Sequence, residues 1–364
     1  MKKFKKIMLL LLVLLIVPSA VACDKRPVLR ILAPGEYMSD STIAAFEKAN
    51  DIRIRIDEFA SNEEALTFIK SGKVYDLIMP SDYALEQLIV ENQGYIEKLD
   101  WTKITTFNKE TDLSDGLYDI LRKIETKSNL DLLDYGAPYF WGSVGLLYNK
   151  DIITVEDTQL GWDLLRQGDK YKVAFYDSSR DALMAGLVAS GYSMNSNVEA
   201  EINAAEQWIK VGTDKGVGYI TDNIFDDIPN RTYDIAMAYT GDAAEIMNQM
   251  IEEEEDLNLG FLVPTEGTNI WVDFLVVHSK GNKEFAYKFL NHIMSYDGAK
   301  KNTDGLFYIS PREDVRLEQV QEAKSADIKE LFQVKFRPND DIFRFDPVSK
   351  ELIDNAWNRL GVNR

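Results

Sequence analysis

Apolar and polar positions along the chain alternate in two rhythms. Val28 to Leu32 is a short apolar run of strand type, and Ser41 to Asn50 places Ile43 and Phe46 on one helical face. Ile52, Ile54 and Ile56 then alternate with Arg53 and Arg55, which predicts a half-buried strand. A helix near Glu63 to Ile69, a buried strand over Tyr75 to Met79 and a helix from Tyr83 to Val90 complete a βαβαβα series. The same style returns later. Strand Val173 to Tyr176, helices Arg180 to Ser190 and Val198 to Val211, strand Tyr233 to Ala238, helix Asp242 to Ile251, strand Trp271 to Val277 and helix Lys283 to Met294 follow in order. The pattern is that of an α/β protein.

Two segments echo one another. Tyr75-Asp76-Leu77-Ile78-Met79-Pro80-Ser81-Asp82-Tyr83-Ala84 is similar to the stretch from Tyr233 through Ala243, each being a buried strand, a short polar loop and a helix start. The echo suggests two similar lobes. Open α/β sheets bind ligands beyond the carboxyl ends of their strands, so both loops are expected to border a cleft. Asp82 and Asp242 are candidates there, with helix N-capping as the alternative role for each.

The N-terminus carries a different signal. Basic Met1-Lys2-Lys3-Phe4-Lys5-Lys6 precedes an apolar run from Ile7 to Val17 and the small residues Ser19-Ala20-Val21-Ala22, the layout of a secretory signal. The run is shorter than the ~20 residues that a membrane-spanning helix needs. The chain's one cysteine, Cys23, follows directly, so it is a candidate for lipid modification as the first mature residue, in a stretch that resembles a lipobox with Ala20 in place of leucine. A lone cysteine leaves no internal disulfide. The remaining length of about 340 residues fits two domains.

Charge narrows the partners. The full chain has 41 basic and 60 acidic residues, a net −19, and loss of the four signal lysines makes the mature protein more negative still. Nucleic acid is a poor partner for that field, and an anionic membrane surface offers contact only through a lipid anchor. Enzyme chemistry finds little support. The two histidines, His278 and His292, lack spaced partners for metal or nucleophile chemistry, and neither a Walker loop nor a Gly-x-Ser-x-Gly elbow is present. No cofactor or metal is expected.

Aromatic residues recur instead beside carboxylates, at strand ends or in loops. Glu36-Tyr37, Ser81-Asp82-Tyr83, the Tyr139-Phe140-Trp141 cluster and Trp271-Val272-Asp273 are the instances, the last with Trp271 and Asp273 on one strand face. Alkylammonium groups stay charged at neutral pH; carboxylates give them charge-assisted hydrogen bonds and ring faces give them cation–π contact.

At these residues the chain resembles the spermidine/putrescine-binding proteins of bacterial polyamine ABC importers, from about Leu29 to Tyr308 and more weakly beyond. The family's Trp-Thr-Glu-Tyr appears as Pro34-Gly35-Glu36-Tyr37, its Tyr-Asp-x-x-x-Pro-Ser-x-Tyr as Tyr75 to Tyr83, and its Pro-Tyr-x-Trp-Gly as Pro138 to Gly142. Its Asp-x-Arg-Glu becomes Asp177-Ser178-Ser179-Arg180-Asp181, where Ser178 loses one acid and Asp181 stands for the glutamate; a family tryptophan becomes Tyr239. Trp271-Val272-Asp273 keeps the family's Trp-x-Asp, and Tyr308 matches a further aromatic contact, whereas the region of Phe343-Arg344-Phe345 departs from the pattern.

The resemblance implies a two-lobed, periplasmic-binding-protein-like fold of type II, with crossings near Tyr139 and Asp273. A signal peptide over residues 1–22 and a linker over 23–27 would precede lobe 1 (28–139 plus 273–305) and lobe 2 (140–272 plus 306–364). It implies a monomer that delivers a polyamine, spermidine or putrescine, to ABC permease subunits in the membrane. Asp181 and Asp273 would be the main amine partners, with Glu36, Ser81 and Trp141 as further contacts and Tyr37, Tyr83, Tyr239, Trp271 and Tyr308 as an aromatic box; Asp82 and Asp242, candidates from the repeated stretch, stand where the family more often has neutral residues. Another cationic solute such as a quaternary amine, or an extracytoplasmic hydrolase, are the alternative readings.

Overall fold

A computed structural model describes residues 25–361. Cys23 and the signal segment lie outside the described residues. The strands among them are β1 (Val28–Pro34), β2 (Arg53–Phe59), β3 (Leu77–Ile78), β4 (Gly136–Asn149), β5 (Val173–Tyr176), β6 (Gly218–Ile220), β7 (Ile235–Tyr239), β8 (Leu259–Leu262) and β9 (Ile270–Val277). The helices are α1 (Asp40–Asn50), α2 (Asn62–Lys70), α3 (Asp82–Glu91), α4 (Asp115–Ser128), α5 (Ser179–Ala189), α6 (Glu199–Thr213), α7 (Ile224–Asp227), α8 (Thr240–Glu252), α9 (Lys283–Ile293), α10 (Tyr296–Leu306), α11 (Glu313–Glu322), α12 (Ala326–Leu331) and α13 (Pro347–Leu360). None of the described helices is long and apolar enough to cross a membrane.

The strands lie in the order β2-β1-β3-β9-β4-β7-β5-β6, with β8 on β4. The order has an internal correspondence. In one half β2, β1 and β3 run parallel and β9 joins antiparallel; in the other β6, β5 and β7 run parallel and β4 joins antiparallel. The repeated sequence stretch therefore marks equivalent units, β3–α3 and β7–α8.

β4 and β9 join the halves. Gly136 to Pro138 pair with Phe274 to Val276, then the register shifts, and Trp141 to Ser143 pair with Ile270 to Val272. Asp273 falls at that shift, bridged to Ser81, with Phe274 N–H donating to the Pro80 carbonyl at 3.0 Å. All of β4 except Tyr148 is buried, so it has no period-two alternation and is not announced by its polar pattern. The chain returns to the second half at its C-terminal end, where α12 packs on α8 and α13 on α5 and α6.

Local signals fix the helix ends. Ser39 and Ser61 accept hydrogen bonds from the backbone of α1 and α2, and Asp346 caps α13 ahead of Pro347 at its first turn. Asp82 and Asp242 are not N-caps in the strict sense: those positions belong to Ser81 and Tyr239, and the two aspartates lie inside the first turns of α3 and α8.

Candidate functional site

Three strands and one helix deliver aromatic rings to one place. Tyr37 follows β1, Trp271 lies in β9, Tyr239 ends β7 and Tyr308 follows α10. Their ring centroids are 4.9 Å apart for Tyr37–Tyr308, 5.8 Å for Trp271–Tyr308 and 5.7 Å for Tyr239–Trp271, all close to edge-on. Phe140 stacks on Tyr308 at 5.4 Å, and Tyr139 holds the base by donating to the Tyr37 carbonyl at 2.7 Å. Edge-to-face packing suits the ring quadrupoles and presents faces where a cation can sit.

Three aspartates are set into this cluster, each held by a tyrosine hydroxyl. Tyr37 donates to Asp273 Oδ2 and Tyr239 to Asp181 Oδ2, both at 2.8 Å, and Tyr308 donates to Asp242 Oδ1. Burial among rings disfavours the ionised carboxylate and raises its pKa. It pushes Asp273 to about 7, against the Tyr37 hydrogen bond that lowers it, and Asp242 to about 6, against the bond from Tyr308. Asp181 is raised for the same reason. Asp181 Oδ1 is buried without a hydrogen-bond partner, as is Ser81 Oγ, leaving acceptors turned to no protein donor. Trp271 Nε1 is likewise without a protein acceptor, and a protonated amine could not serve as one.

The other expected residues are placed differently. Asp82 is 2% exposed and spends both oxygens on backbone, accepting from Val272 N–H at 3.0 Å and Tyr83 N–H at 2.6 Å. The bond from Val272 ties the start of α3 to the crossing strand β9. Trp141 does not join the rings: it is buried over Gly116 and donates to the Ser310 carbonyl at 3.2 Å. Tyr83 lies beside Asp181, but Arg180 already covers its ring at 4.0 Å. Glu36 is exposed at the end of β1 with a left-handed φ of 50°.

Sequence reasoning passed over Glu245. It is one helical turn beyond Asp242 on α8, and burial, with the neighbouring charges of Asp242 and Glu36, pushes its pKa to about 7. Its three-residue spacing from Asp242 on a helix that opens at the site was the available signal. His278 accepts from Lys280 N–H and His292 contacts the Thr42 carbonyl, which are structural roles. Among the described residues no group of three or more His, Cys, Asp or Glu is arranged to hold a metal ion.

Comparison with known proteins adds independent information. Residues 41–331 match the model of the bacterial extracellular solute-binding protein family. The chain is 26% identical over 314 residues to the spermidine/putrescine-binding periplasmic protein of Escherichia coli, covering 85% of each. A solved structure from Listeria monocytogenes superposes with a TM-score of 0.77 at 24% identity, over 93% of this chain and 99% of that one. The spermidine/putrescine ABC transporter substrate-binding protein of Streptococcus pneumoniae does so with a TM-score of 0.70 at 22% identity, over 92% and 98%. The fold is thus that of the periplasmic-binding-protein-like substrate-binding proteins.

Proposed function

Because the chain belongs to the bacterial extracellular solute-binding protein family, we propose that it captures a polyamine, spermidine or putrescine, outside the cytoplasmic membrane and presents it to an ABC importer. The observation that carries this reading is the set of three tyrosine-held aspartates, Asp181, Asp242 and Asp273, in a single aromatic cluster. A polyamine needs several acceptors for its amines and ring surface for its methylene spacers, and the cluster offers both. The binding function named for the Escherichia coli relative agrees with this chemistry.

In this reading the halves of the sheet are two lobes, residues 28–139 plus 273–305 and 140–272 plus 306–364, that close on the ligand. Asp181 and Asp273 hold amine groups, Asp242 adds a third acceptor, and Tyr37, Tyr239, Trp271 and Tyr308 supply the rings. Glu36, exposed, and Ser81, with its free hydroxyl, lie at the margin. The protein acts as a monomer, recognised by permease subunits when closed. Cys23, freed by signal cleavage and lipidated, anchors it through two acyl chains.

Calorimetry of the mature protein with putrescine, spermidine, choline and betaine tests the proposal. A polyamine should bind and be recovered unaltered. Choline has no N–H donors for the buried carboxylates and should bind much more weakly. Binding of choline or betaine without any polyamine binding would transfer the assignment to a quaternary amine, and chemical conversion of the ligand would end the binding-protein reading.

A further inference from the structure

A buried ion pair lies outside the aromatic cluster and has no part in the site as described. Glu86, on α3 one turn past Asp82, is 5% exposed. Its carboxylate accepts from Arg344 Nε at 3.0 Å, Arg344 Nη2 at 2.5 Å and the Phe345 N–H at 2.9 Å. All three of these bonds come from one short segment, and the two from Arg344 have the two-pronged geometry that arginine favours.

The two partners belong to opposite halves of the molecule. α3 packs on β9 and α2, next to the β2-β1-β3 side. Arg344 is tied to the other side: its N–H donates to Asn195 Oδ1 at 2.9 Å, Asn195 Nδ2 donates to the Ile342 carbonyl at 2.8 Å, and Phe343 N–H donates to Asn269 Oδ1 at 3.2 Å. A second contact of the same sense lies alongside. Arg180, at the start of α5, covers Tyr83 and sits 3.7 Å from Glu63 of α2, and Phe343 meets the edge of Tyr83 with centroids 6.2 Å apart.

We propose that the Glu86–Arg344 pair is a clasp, formed when the two halves come together, that sets ligand affinity without touching the ligand. The inference rests on the reading in which the halves close around a solute. A rotation that separates the halves must break this pair and return both charges to water, whereas closure remakes three hydrogen bonds together. The apparent dissociation constant is the intrinsic one divided by the fraction of closed, binding-competent protein. A change in the clasp therefore multiplies the dissociation constant of every ligand by the same factor.

The test compares wild type with Glu86→Gln/Arg344→Gln and with Arg344→Lys. The double variant removes both charges and so leaves no unpaired buried ion. It should raise the dissociation constants for putrescine and spermidine by a common factor of about ten, and small-angle scattering of the ligand-free protein should show a larger radius of gyration. Arg344→Lys keeps the charge but loses the fork, and should fall between. Unchanged affinities with superimposable scattering curves would overturn the clasp, as would a loss confined to one ligand, which would place these side chains against the solute. If wild type binds no polyamine, the proposed function fails, while the ligand-free scattering comparison still decides for or against the clasp.

Discussion

The hydroxyl of Tyr37 donates to Asp273 Oδ2 at 2.8 Å, joining the end of β1 to the register shift in β9 across 236 residues of sequence. The bond leaves Asp273 with lone pairs for a cation and fixes the ring that packs against Tyr308. Asp273→Asn should therefore weaken polyamine binding at least tenfold, since removing one member of a buried charge pair costs about 2–5 kcal/mol. The variant should fold, because an amide can still accept from Tyr37. Unaltered affinity in a folded variant, read by calorimetry, would take Asp273 out of the site.

Proton release follows from the raised carboxylates. Asp273 and Asp242 titrate near 7 and 6 in the folded chain, above the ordinary aspartate value of 3.8. A cationic ligand selects their ionised forms, so binding should expel protons between pH 5 and 7 and affinity should rise with pH through that window. Calorimetry in buffers of different ionisation enthalpy reads the proton count, and a buffer-independent enthalpy at pH 6 would contradict it.

The same shift has the opposite sign for ligand-free stability. Between about pH 4 and 7 the folded chain keeps protons that the unfolded chain has released, so this contribution is complete at the acid end and lost as pH rises through the folded values. Asp273→Asn escapes that loss. Its melting temperature without ligand, relative to wild type, should increase from pH 5 to pH 8; a constant difference would mean that Asp273 is not raised.

Gly241 sets the position of a ring. A Cβ added there would come within 2.2 Å of Tyr308 Cδ1, far inside contact distance, and the ring lies between Phe140, Trp271 and Tyr37 with nowhere to retreat. Gly241→Ala should both lower the melting temperature and weaken ligand binding. Thermal denaturation with and without putrescine reads both effects, and an unperturbed ligand response would show that Tyr308 is dispensable.

Anchoring is testable apart from binding. Cys23→Ser removes the sulfur that would carry two acyl chains, so the protein should move from the membrane to the soluble extracytoplasmic fraction with its ligand affinity intact. Retention at the membrane after signal cleavage would rule out the lipid anchor.

Much of this was legible in the sequence, and the exceptions have physical causes. Val173 to Tyr176 falls where the pattern puts it, and the β–α units around Leu77 and Ile235 were recognisable as an echo because each combines a buried strand with a polar loop. β4 was legible only as its cluster at Tyr139 to Trp141, since a strand buried on both faces carries no alternation. The grouping of Tyr37, Tyr239, Trp271 and Tyr308 with their aspartates agrees with motif order. Tyr83 and Trp141 stand in the same motifs, yet one is covered by Arg180 and the other is core, because a motif fixes a backbone position and not the direction of its side chain. The Glu86–Arg344 pair could not be read at all: a contact between residues 258 positions apart leaves no local pattern.

The strand order carries a consequence for how the chain comes to be folded. The second half takes its strands β4 to β8 from one unbroken stretch of sequence, whereas the first half, β1 to β3, is closed by β9, which lies beyond all of the second half. The side that begins at the N-terminus has to wait for Ile270–Val277 before the open edge of β3 is covered. Until then it exposes an unpaired apolar edge, and the late pairing has the high sequence separation that slows folding. A polypeptide whose N-terminal half cannot finish until Ile270–Val277 has been made stays incompletely folded for longer after synthesis, which is the condition in which a chain can be threaded through a narrow translocation channel.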